Sequence, residues 1–211
     1  MKYFSGILMS CVIFLSCEVE DKLPYIGERD YVYNNGQIID TVFHQIPSFS
    51  YINQNGKEIS KKDLLGKVFV ADFFFSTCPT ICPKMTTQMK RLQSLTKDVE
   101  EIRFLSFTIN PKNDTPDVLL EYAKQYGVSL DNWDFLTGEE EATHYLGVKG
   151  FLVHARADED ELGGFAHSPS LVLVDRKGHI RGVYDGTQTK EVDQLNLDIR
   201  KLLRTEYGIS K

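Results

Sequence analysis

The hydrophobic positions of this chain alternate between continuous apolar runs and helical repeats. The runs at 67–75 and 102–109 are predominantly apolar, which predicts strands that are buried on both faces of a sheet. Between these runs, apolar residues recur at every third or fourth position, which predicts a helix from about 83 to 97. A buried strand, a helix and a second buried strand are typical of an α/β domain.

The same two patterns continue on both sides of this unit. A helix is expected from Thr115, whose side chain would cap it, to Gly127, which would end it. The other predicted elements are strands at 38–43, 48–52, 133–136, 170–175 and 179–184, short helices at 60–66 and 139–146, an irregular segment at 147–164 and a final helix at 189–204. Strands that alternate with helices and close on a hairpin and a helix are typical of a thioredoxin-like α/β domain. We therefore expect a three-layer sandwich with a mixed central sheet and an N-terminal β extension, over residues 37–206.

The first residues predict an exported protein. Lys2 precedes an apolar stretch at 3–14 that is too short to span a bilayer as a mature helix. The stretch ends just before Cys17 and is followed by polar residues. Residues 1–16 thus resemble a bacterial lipoprotein signal peptide, and Cys17 would be the acylated first residue of the mature chain. A plain secretory signal or a chance apolar start is the alternative.

Residues 17–36 are predominantly polar and contain Pro24 together with glycine and asparagine residues, which predicts a flexible, lipidated tether. Together with the signal peptide, this tether predicts a bacterial lipoprotein that is exported and anchored to a membrane, with its domain facing the periplasm. The formal charge of −6, without any block of basic residues, argues against a nucleic acid as partner.

The cysteine usage narrows the chemistry. Of the four cysteines, Cys11 would leave with the signal peptide and Cys17 would carry lipid, so Cys78 and Cys82 remain as thiols. One pair at this short spacing closes too small a loop to stabilise the fold as a disulfide. Two close thiols in an oxidising compartment therefore suggest chemistry rather than a structural role.

Cys78 and Cys82 occupy one turn directly after the strand predicted at 67–75. Pro83 disfavours a helical conformation for Cys82 and suits the first helical position itself. Cys82 is therefore expected at or near the helix N-cap, where exposed amides and the helix dipole would lower its pKa. Two thiolates are soft ligands that suit Cu(I) or Zn(II), but they are too few for a closed structural zinc site.

A third metal donor should come from another part of the fold, and histidine is the usual supplement. Of the five histidines, His167 stands out because it precedes the strand predicted at 170–175, which would lie beside the strand at 67–75. Met85 and Met89 occur at helical spacing and are interpreted as core residues rather than copper donors.

Two acidic features leave alternatives open. Asp72 lies inside a buried apolar run and needs a polar partner, which could be a solvated edge or the cysteine site. The acidic run at 158–161 is interpreted as a solvated loop, with docking of a basic partner or passage of a cation as the alternative.

Several segments taken together resemble the Sco/SenC family. They are the two-cysteine segment at 73–83, the segments at 113–119 and 133–138, and the His167-Ser168 pair. The resemblance covers about residues 40–205. It implies a thioredoxin-like fold that binds copper, as Cu(I) or Cu(II), through Cys78, Cys82 and His167. It also implies a role in assembling the binuclear copper centre of a respiratory cytochrome oxidase, whose copper-centre subunit would be the partner.

The chain also departs from this family pattern. Asn110 and Ala166 stand where the family often has aspartate, and an aspartate before the histidine would orient or tune that ligand, so copper affinity or the histidine tautomer is expected to differ. The segment around Pro169 resembles the cis-proline segment of thioredoxins and peroxiredoxins. We therefore expect a cis bond before Pro169, with an ordinary trans proline as the alternative.

Three functions are compatible with these residues. The favoured one is a membrane-tethered copper chaperone for cytochrome oxidase maturation. The alternative is a thiol–disulfide oxidoreductase in which Cys78 and Cys82 reduce the copper-ligand cysteines of a partner, a role that Pro169 would suit. A redox or copper sensor that signals by binding a partner is the third.

Overall fold

The computed structural model places a seven-stranded mixed sheet at the centre of the domain and describes residues 22–157 and 165–209. At 155–157 and 165–167 it describes the backbone alone. The strands in chain order are β1 (Arg29–Asn34), β2 (Gln37–Phe43), β3 (Ser50–Asn53), β4 (Glu58–Ser60), β5 (Val68–Phe74), β6 (Ile102–Thr108), β7 (Trp133–Thr137), β8 (Ala155–Ala157), β9 (Phe165–His167), β10 (Ser170–Val174) and β11 (Ile180–Asp185).

The strand order across the central sheet is β11-β10-β5-β6-β7-β3-β4. β5, β6 and β7 run parallel, whereas the flanking strands pair antiparallel with their neighbours. β1 with β2, and β8 with β9, form two further two-stranded sheets. The expected fold class, a thioredoxin-like sandwich with a mixed sheet and an N-terminal β extension, is confirmed.

The helices follow the strands in the predicted order. They are α1 (Cys82–Leu95), α2 (Pro116–Tyr126), α3 (Glu140–Tyr145) and α4 (Thr189–Tyr207), together with a 3₁₀ turn at Lys61–Leu64 and a π turn at Leu146–Gly150. Thr115 caps α2 by accepting a hydrogen bond from the Val118 amide at 3.4 Å, and Gly127 ends it with a φ of +59°. Both termini of α2 therefore follow from local sequence signals.

β5 is buried along its whole length, with all seven residues inside the protein. Phe73 points to one face of the sheet and packs on Phe107 and Phe151, with ring centroids 5.2 and 5.3 Å away. Phe74 points to the other face and packs on Tyr122 of α2 at 5.3 Å. The strand predicted from the apolar run is confirmed, because both of its faces are covered.

The N-terminal segment differs from the sequence-based prediction. The flexible tether expected at 17–36 is wrong for residues 23–36, because Leu23 is 7% exposed and packs on the core, Ile26 pairs with Ile180 of β11, and β1 follows directly. The signal peptide predicted at 1–16 and the lipidation predicted at Cys17 lie outside the described residues.

A buried arginine explains why this segment is attached. Arg181 of β11 is 1% exposed and donates hydrogen bonds to the carbonyl oxygens of Leu23 at 2.5 Å and Pro24 at 3.0 Å. The same guanidinium pairs with Asp175 at 3.1 Å and with Glu206 at the end of α4. A buried guanidinium needs acceptors for all of its donors, and the N-terminal carbonyls complete that set.

Replacing this cation tests the attachment. Arg181→Met is expected to lower the free energy of unfolding by about 3–5 kcal/mol, because the buried carboxylates lose their partner. Urea unfolding followed by circular dichroism measures the loss. The control is Arg200→Met, whose partner Asp98 is on the surface, and this change should cost less than about 1 kcal/mol. A loss for Arg181→Met no greater than that of the control would contradict the anchoring role.

Candidate copper and thiol site

The cysteine turn connects the carboxyl end of β5 to α1. The Cys78 amide donates to the Phe75 carbonyl at 3.1 Å, and the Met85 amide donates to the Ile81 carbonyl at 3.0 Å, which opens the helix. Ile81 is the N-cap and Cys82 the first residue of α1, adjacent to the predicted position. The carboxyl ends of parallel strands are where open α/β folds place their chemistry, and both thiols lie at that end.

The two thiols are buried and reduced. Cys78 is 7% exposed and Cys82 is 1% exposed, and their side chains form a hydrogen bond with each other. This hydrogen bond and the burial of the sulfur raise the pKa of Cys82 well above its ordinary value, and the negative charge of Asp72 acts in the same direction. The lowered pKa expected for Cys82 is therefore wrong.

The physical reason is that the local charge balance outweighs the position at the helix start. A backbone hydrogen bond from Phe75 lowers the pKa of Cys82, but the neighbouring thiol and desolvation have the larger effect. Two thiolates this close in a buried site repel each other, so the pair holds one proton firmly. A soft cation that binds both sulfurs would supply the missing positive charge and displace the protons.

A buried carboxylate holds the cysteine turn against the neighbouring loop. Asp114 has no exposed surface and accepts hydrogen bonds from the Ser76 amide at 2.9 Å, the Ser76 hydroxyl, the Thr108 hydroxyl at 2.5 Å and the Asn113 side-chain amide at 2.7 Å. Ser76 precedes Cys78 by two residues, whereas Thr108 ends β6. Asp114 therefore joins the two loops that follow β5 and β6.

Sequence reasoning did not single out Asp114, although it lies in the 113–119 segment. The available signal was an aspartate just before the Thr115 cap, at the end of a loop that follows a buried strand. That signal does not name Ser76 as the partner, because the contact joins residues 38 positions apart.

Asp72 of β5 is a second buried carboxylate near the thiols. It is 1% exposed and forms a hydrogen bond with Ser106, whose hydroxyl also accepts from the Trp133 indole at 2.9 Å. Its Oδ1 atom has no partner within the part of the chain that the structure describes. Burial raises the pKa of Asp72 to about 7. Of the two alternatives left open by the sequence, the solvated edge is therefore wrong.

The backbone places His167 at the same end of the sheet as the cysteine turn. β9 ends at His167, which pairs with Ala155 of β8. β10 begins three residues later and runs antiparallel to β5, with Val172 opposite Ala71. The start of β10 and the end of β5 therefore meet at one edge. Because the side chain of His167 lies outside the described part, its role as a ligand stays a prediction.

The bond before Pro169 is trans, as are all peptide bonds in the described ranges, so the expected cis-proline is wrong. The carbonyl of Pro169 accepts a hydrogen bond from the Gly186 amide at 2.6 Å, and β10 begins at the next residue. Proline has no amide hydrogen to donate to a neighbouring strand, and the position just before a strand does not require one. Trans is also the intrinsically preferred isomer.

The remaining candidates have structural roles. Met85 and Met89 have no exposed surface and belong to the core of α1, as predicted. The ring nitrogens of three other histidines contact groups of the fold, namely His44 with the Gly150 carbonyl at 2.7 Å, His144 with the Ile109 carbonyl at 3.3 Å and His179 with Asp175 at 3.1 Å.

Asp114 can be tested through both stability and thiol chemistry. Asp114→Ala leaves the buried Thr108 hydroxyl and the partly buried donors of Ser76 and Asn113 unpaired, so we expect a loss of about 2–4 kcal/mol in unfolding free energy. We also expect faster reaction of the two thiols with an aromatic disulfide reagent, because the turn is no longer held. Asp117→Ala in the exposed first turn of α2 is the matched control and should cost less than about 1 kcal/mol. Unchanged thiol reactivity in the destabilised variant would refute the positioning role.

Asp72 predicts an unusual pH dependence. The pKa of Asp72 is about 7 in the folded protein and 3.8 in the unfolded chain. Between these two pH values, Asp72 is protonated in the folded protein but ionised in the unfolded chain. Stability of the reduced, metal-free protein should therefore fall as pH rises from about 4 to about 7, by up to roughly 4 kcal/mol from this group. Asp72→Asn should flatten that fall in urea unfolding measured across this pH range. A parallel pH profile in the variant and the parent would show that Asp72 is already ionised.

Known proteins resemble this chain over most of its length. The SCO1/SenC family model matches residues 40–204. The SCO1 protein homolog of Bacillus subtilis (strain 168) is 36% identical over 166 residues, which cover 78% of this chain and 86% of the relative.

Solved structures extend the similarity to the fold. A SCO1/SenC family lipoprotein from Bacillus anthracis str. Ames matches with a TM-score of 0.70 and 32% identity over 75% of this chain and 95% of that one. BsSco, a member of the Sco family of cytochrome c oxidase assembly proteins in which a disulfide switch has been identified, matches with a TM-score of 0.68 and 34% identity over 75% and 93%. Arabidopsis thaliana ScoI with copper bound matches with a TM-score of 0.62 and 25% identity over 75% and 97%.

The family model covers the central sheet, the cysteine turn and the segment that carries His167. Because the family model matches most of the chain and a relative is 36% identical over most of both sequences, this protein belongs to the SCO1/SenC family.

Proposed function

We propose that this protein binds copper and serves in the maturation of the binuclear copper centre of a respiratory cytochrome oxidase. The observation that carries the proposal is the pair of buried, mutually hydrogen-bonded thiols of Cys78 and Cys82 at the end of β5. The copper-bound ScoI structure and the membership of BsSco in a family of cytochrome c oxidase assembly proteins support it.

The donor set favours copper over harder metals. Thiolates are soft and bind Cu(I) well, and an imidazole from His167 would add a donor that also suits Cu(II). Ala166, next to His167, offers no carboxylate to orient such an imidazole. Copper is the cargo here, and the chain needs no further substrate to turn over.

Transfer of the cargo requires access from one side. Cys78 keeps a small exposed fraction, whereas Cys82 is almost completely covered, so an incoming ligand from the partner would reach the metal on the Cys78 side. We propose that the partner is the copper-centre subunit of the oxidase, which would capture the ion by replacing the two thiolates.

A second function is favoured by the contact between the thiols. Oxidation of Cys78 and Cys82 to a disulfide releases two electrons and two protons, which would reduce one disulfide of the partner to two thiols. The disulfide switch identified in BsSco supports a redox role for such a pair. The trans bond before Pro169 removes the resemblance to thioredoxins that had favoured this alternative.

Membrane attachment forms part of the proposal. Cys17 would carry the lipid after removal of residues 1–16, and the domain would face the periplasm. The sequence pattern before Cys17 and the lipoprotein from Bacillus anthracis support this placement.

Copper titration of the reduced protein tests the proposed site. We expect each chain to bind one copper ion, whether Cu(I) or Cu(II) is titrated. In His167→Ala, Cu(II) binding should weaken at least about 10-fold, because a ligand is lost. In Cys82→Ser, the binding of both ions should weaken. The sulfur-to-copper charge-transfer absorption reports the Cu(II) complex. His154→Ala changes an exposed histidine close in sequence and should leave both affinities unchanged.

The two functions give different outcomes in the same preparation. Copper binding that depends on Cys82 and His167 supports the chaperone. Failure to bind either copper ion, together with efficient reduction of a protein disulfide, would overturn it and leave the oxidoreductase.

A further inference from the structure

The hairpin formed by β1 and β2, at 29–43, exposes an unusual amount of apolar surface. Its two strands pair with each other in a sheet of their own, outside the seven-stranded sheet. Six large apolar side chains on it are between 41% and 61% exposed, namely Tyr31, Val32, Tyr33, Ile38, Ile39 and Val42. A two-stranded hairpin is marginal alone in water, and contiguous exposed apolar surface marks a site of interaction.

Apolar side chains occupy both faces of this hairpin. Tyr31 and Tyr33 lie on one face of β1, whereas Val32 and Val42 lie on the other face, where their strand partners are Asp40 and Asp30. A rigid protein surface would cover one face of this two-stranded ribbon and leave the other in water. A fluid interface of lipid headgroups and upper acyl chains can surround both.

The hairpin is attached at the end of the sheet remote from the cysteines. Beyond β2, the Ile46 amide donates to the Gly178 carbonyl at 2.8 Å, and Gly178 lies in the turn between β10 and β11. That turn follows Val174, which pairs with Phe69 near the start of β5. The cysteine turn follows the end of β5, and a strand of this length spans about 20 Å.

The N-terminal segment is attached at this same end. Arg181 holds Leu23, and the Tyr25 ring stacks on Phe43 of the hairpin with centroids 4.1 Å apart. Five residues, 18–22, separate Leu23 from Cys17. Even fully extended, this connection reaches only about 20 Å. An N-terminus inserted in a bilayer would therefore keep the hairpin close to the membrane surface.

We propose that the hairpin at 29–43 lies in the headgroup region of the bilayer and turns the Cys78–Cys82 end of the domain away from the membrane. This inference rests on the membrane attachment in the proposed function. Tyrosine is favoured at membrane interfaces because its ring is apolar and its hydroxyl remains hydrated. The hairpin carries Arg29, Asp30 and Asp40, a net charge of −1, so apolar contact rather than attraction to anionic lipid holds it there.

Depth-dependent fluorescence quenching tests this placement in the full lipidated chain. Tyr33→Trp places a reporter on the hairpin, and Leu197→Trp places a matched one on the exposed side of α4. The native Trp133 has no exposed surface and contributes the same background fluorescence in both variants. In phosphatidylcholine vesicles with brominated acyl chains, we expect the added emission of Tyr33→Trp to fall by about half, because interfacial side chains reach the acyl boundary. The emission of Leu197→Trp should not change.

The outcomes separate this inference from the function on which it rests. A chain that pellets with vesicles but shows no quenching of Tyr33→Trp overturns the bilayer contact and leaves a protein partner for the hairpin. A chain that does not pellet, and behaves like Cys17→Ala, overturns the membrane attachment itself. Copper titration and urea unfolding of both tryptophan variants show whether the fold and the site are intact, so a quenching result can be assigned to the hairpin.

Discussion

The complete burial of β5 is the constraint on which the rest of the structure depends. Its side chains are covered on both faces, by Phe107 and Phe151 on one and by Tyr122 on the other. Such a strand cannot shift along its neighbours without moving apolar groups into water or leaving cavities. The turn that follows it therefore begins at a defined place, and Asp114 holds that turn to the loop after β6. The position of the two thiols is thus a consequence of core packing.

The charge balance around the thiols explains why this site suits a cation. Cys82 lies at a helix start, which favours a thiolate, but burial, Cys78 and the carboxylate of Asp72 all oppose a second negative charge. In a low-dielectric site these three effects raise the pKa of Cys82 by more than the helix end lowers it. A soft cation bound there would reverse the balance, because it would attract both sulfurs and stabilise their deprotonated forms. The same arrangement raises the pKa of Cys82 in the metal-free pair.

The two ends of the central sheet have different surroundings. One end carries the cysteine turn, the start of β10 and the backbone of His167. The other carries Arg181, the attached N-terminal segment and the base of the apolar hairpin. The described chain enters the domain at the second end, so an anchored N-terminus would restrict how the first end is presented. A copper site at the far end would be accessible to a partner without rotation of the domain about a long tether.

The sequence by itself determined the elements whose signals are local. The apolar runs at 67–75 and 102–109, the Thr115 and Gly127 termini of α2 and the cysteine turn before Pro83 were predicted from spacing, capping and proline chemistry. These signals act within a few residues, where backbone sterics and side-chain periodicity dominate. His167 was singled out by its place before the strand at 170–175, and the resemblance to the Sco/SenC family added copper as the expected metal.

Only the tertiary structure decided the features that depend on distant partners. Arg181 meets the carbonyl of Leu23 across 158 positions, which turns part of a predicted tether into an anchored segment. Asp114 and Ser76 meet across 38 positions. The hydrogen bond from the nearby Cys78 has the largest effect on the pKa of Cys82, but burial and the charge of Asp72 add to it only in the folded chain. The physical reason is that desolvation and hydrogen bonds between distant residues leave no local pattern in the sequence. Both arise only when folding brings those residues together.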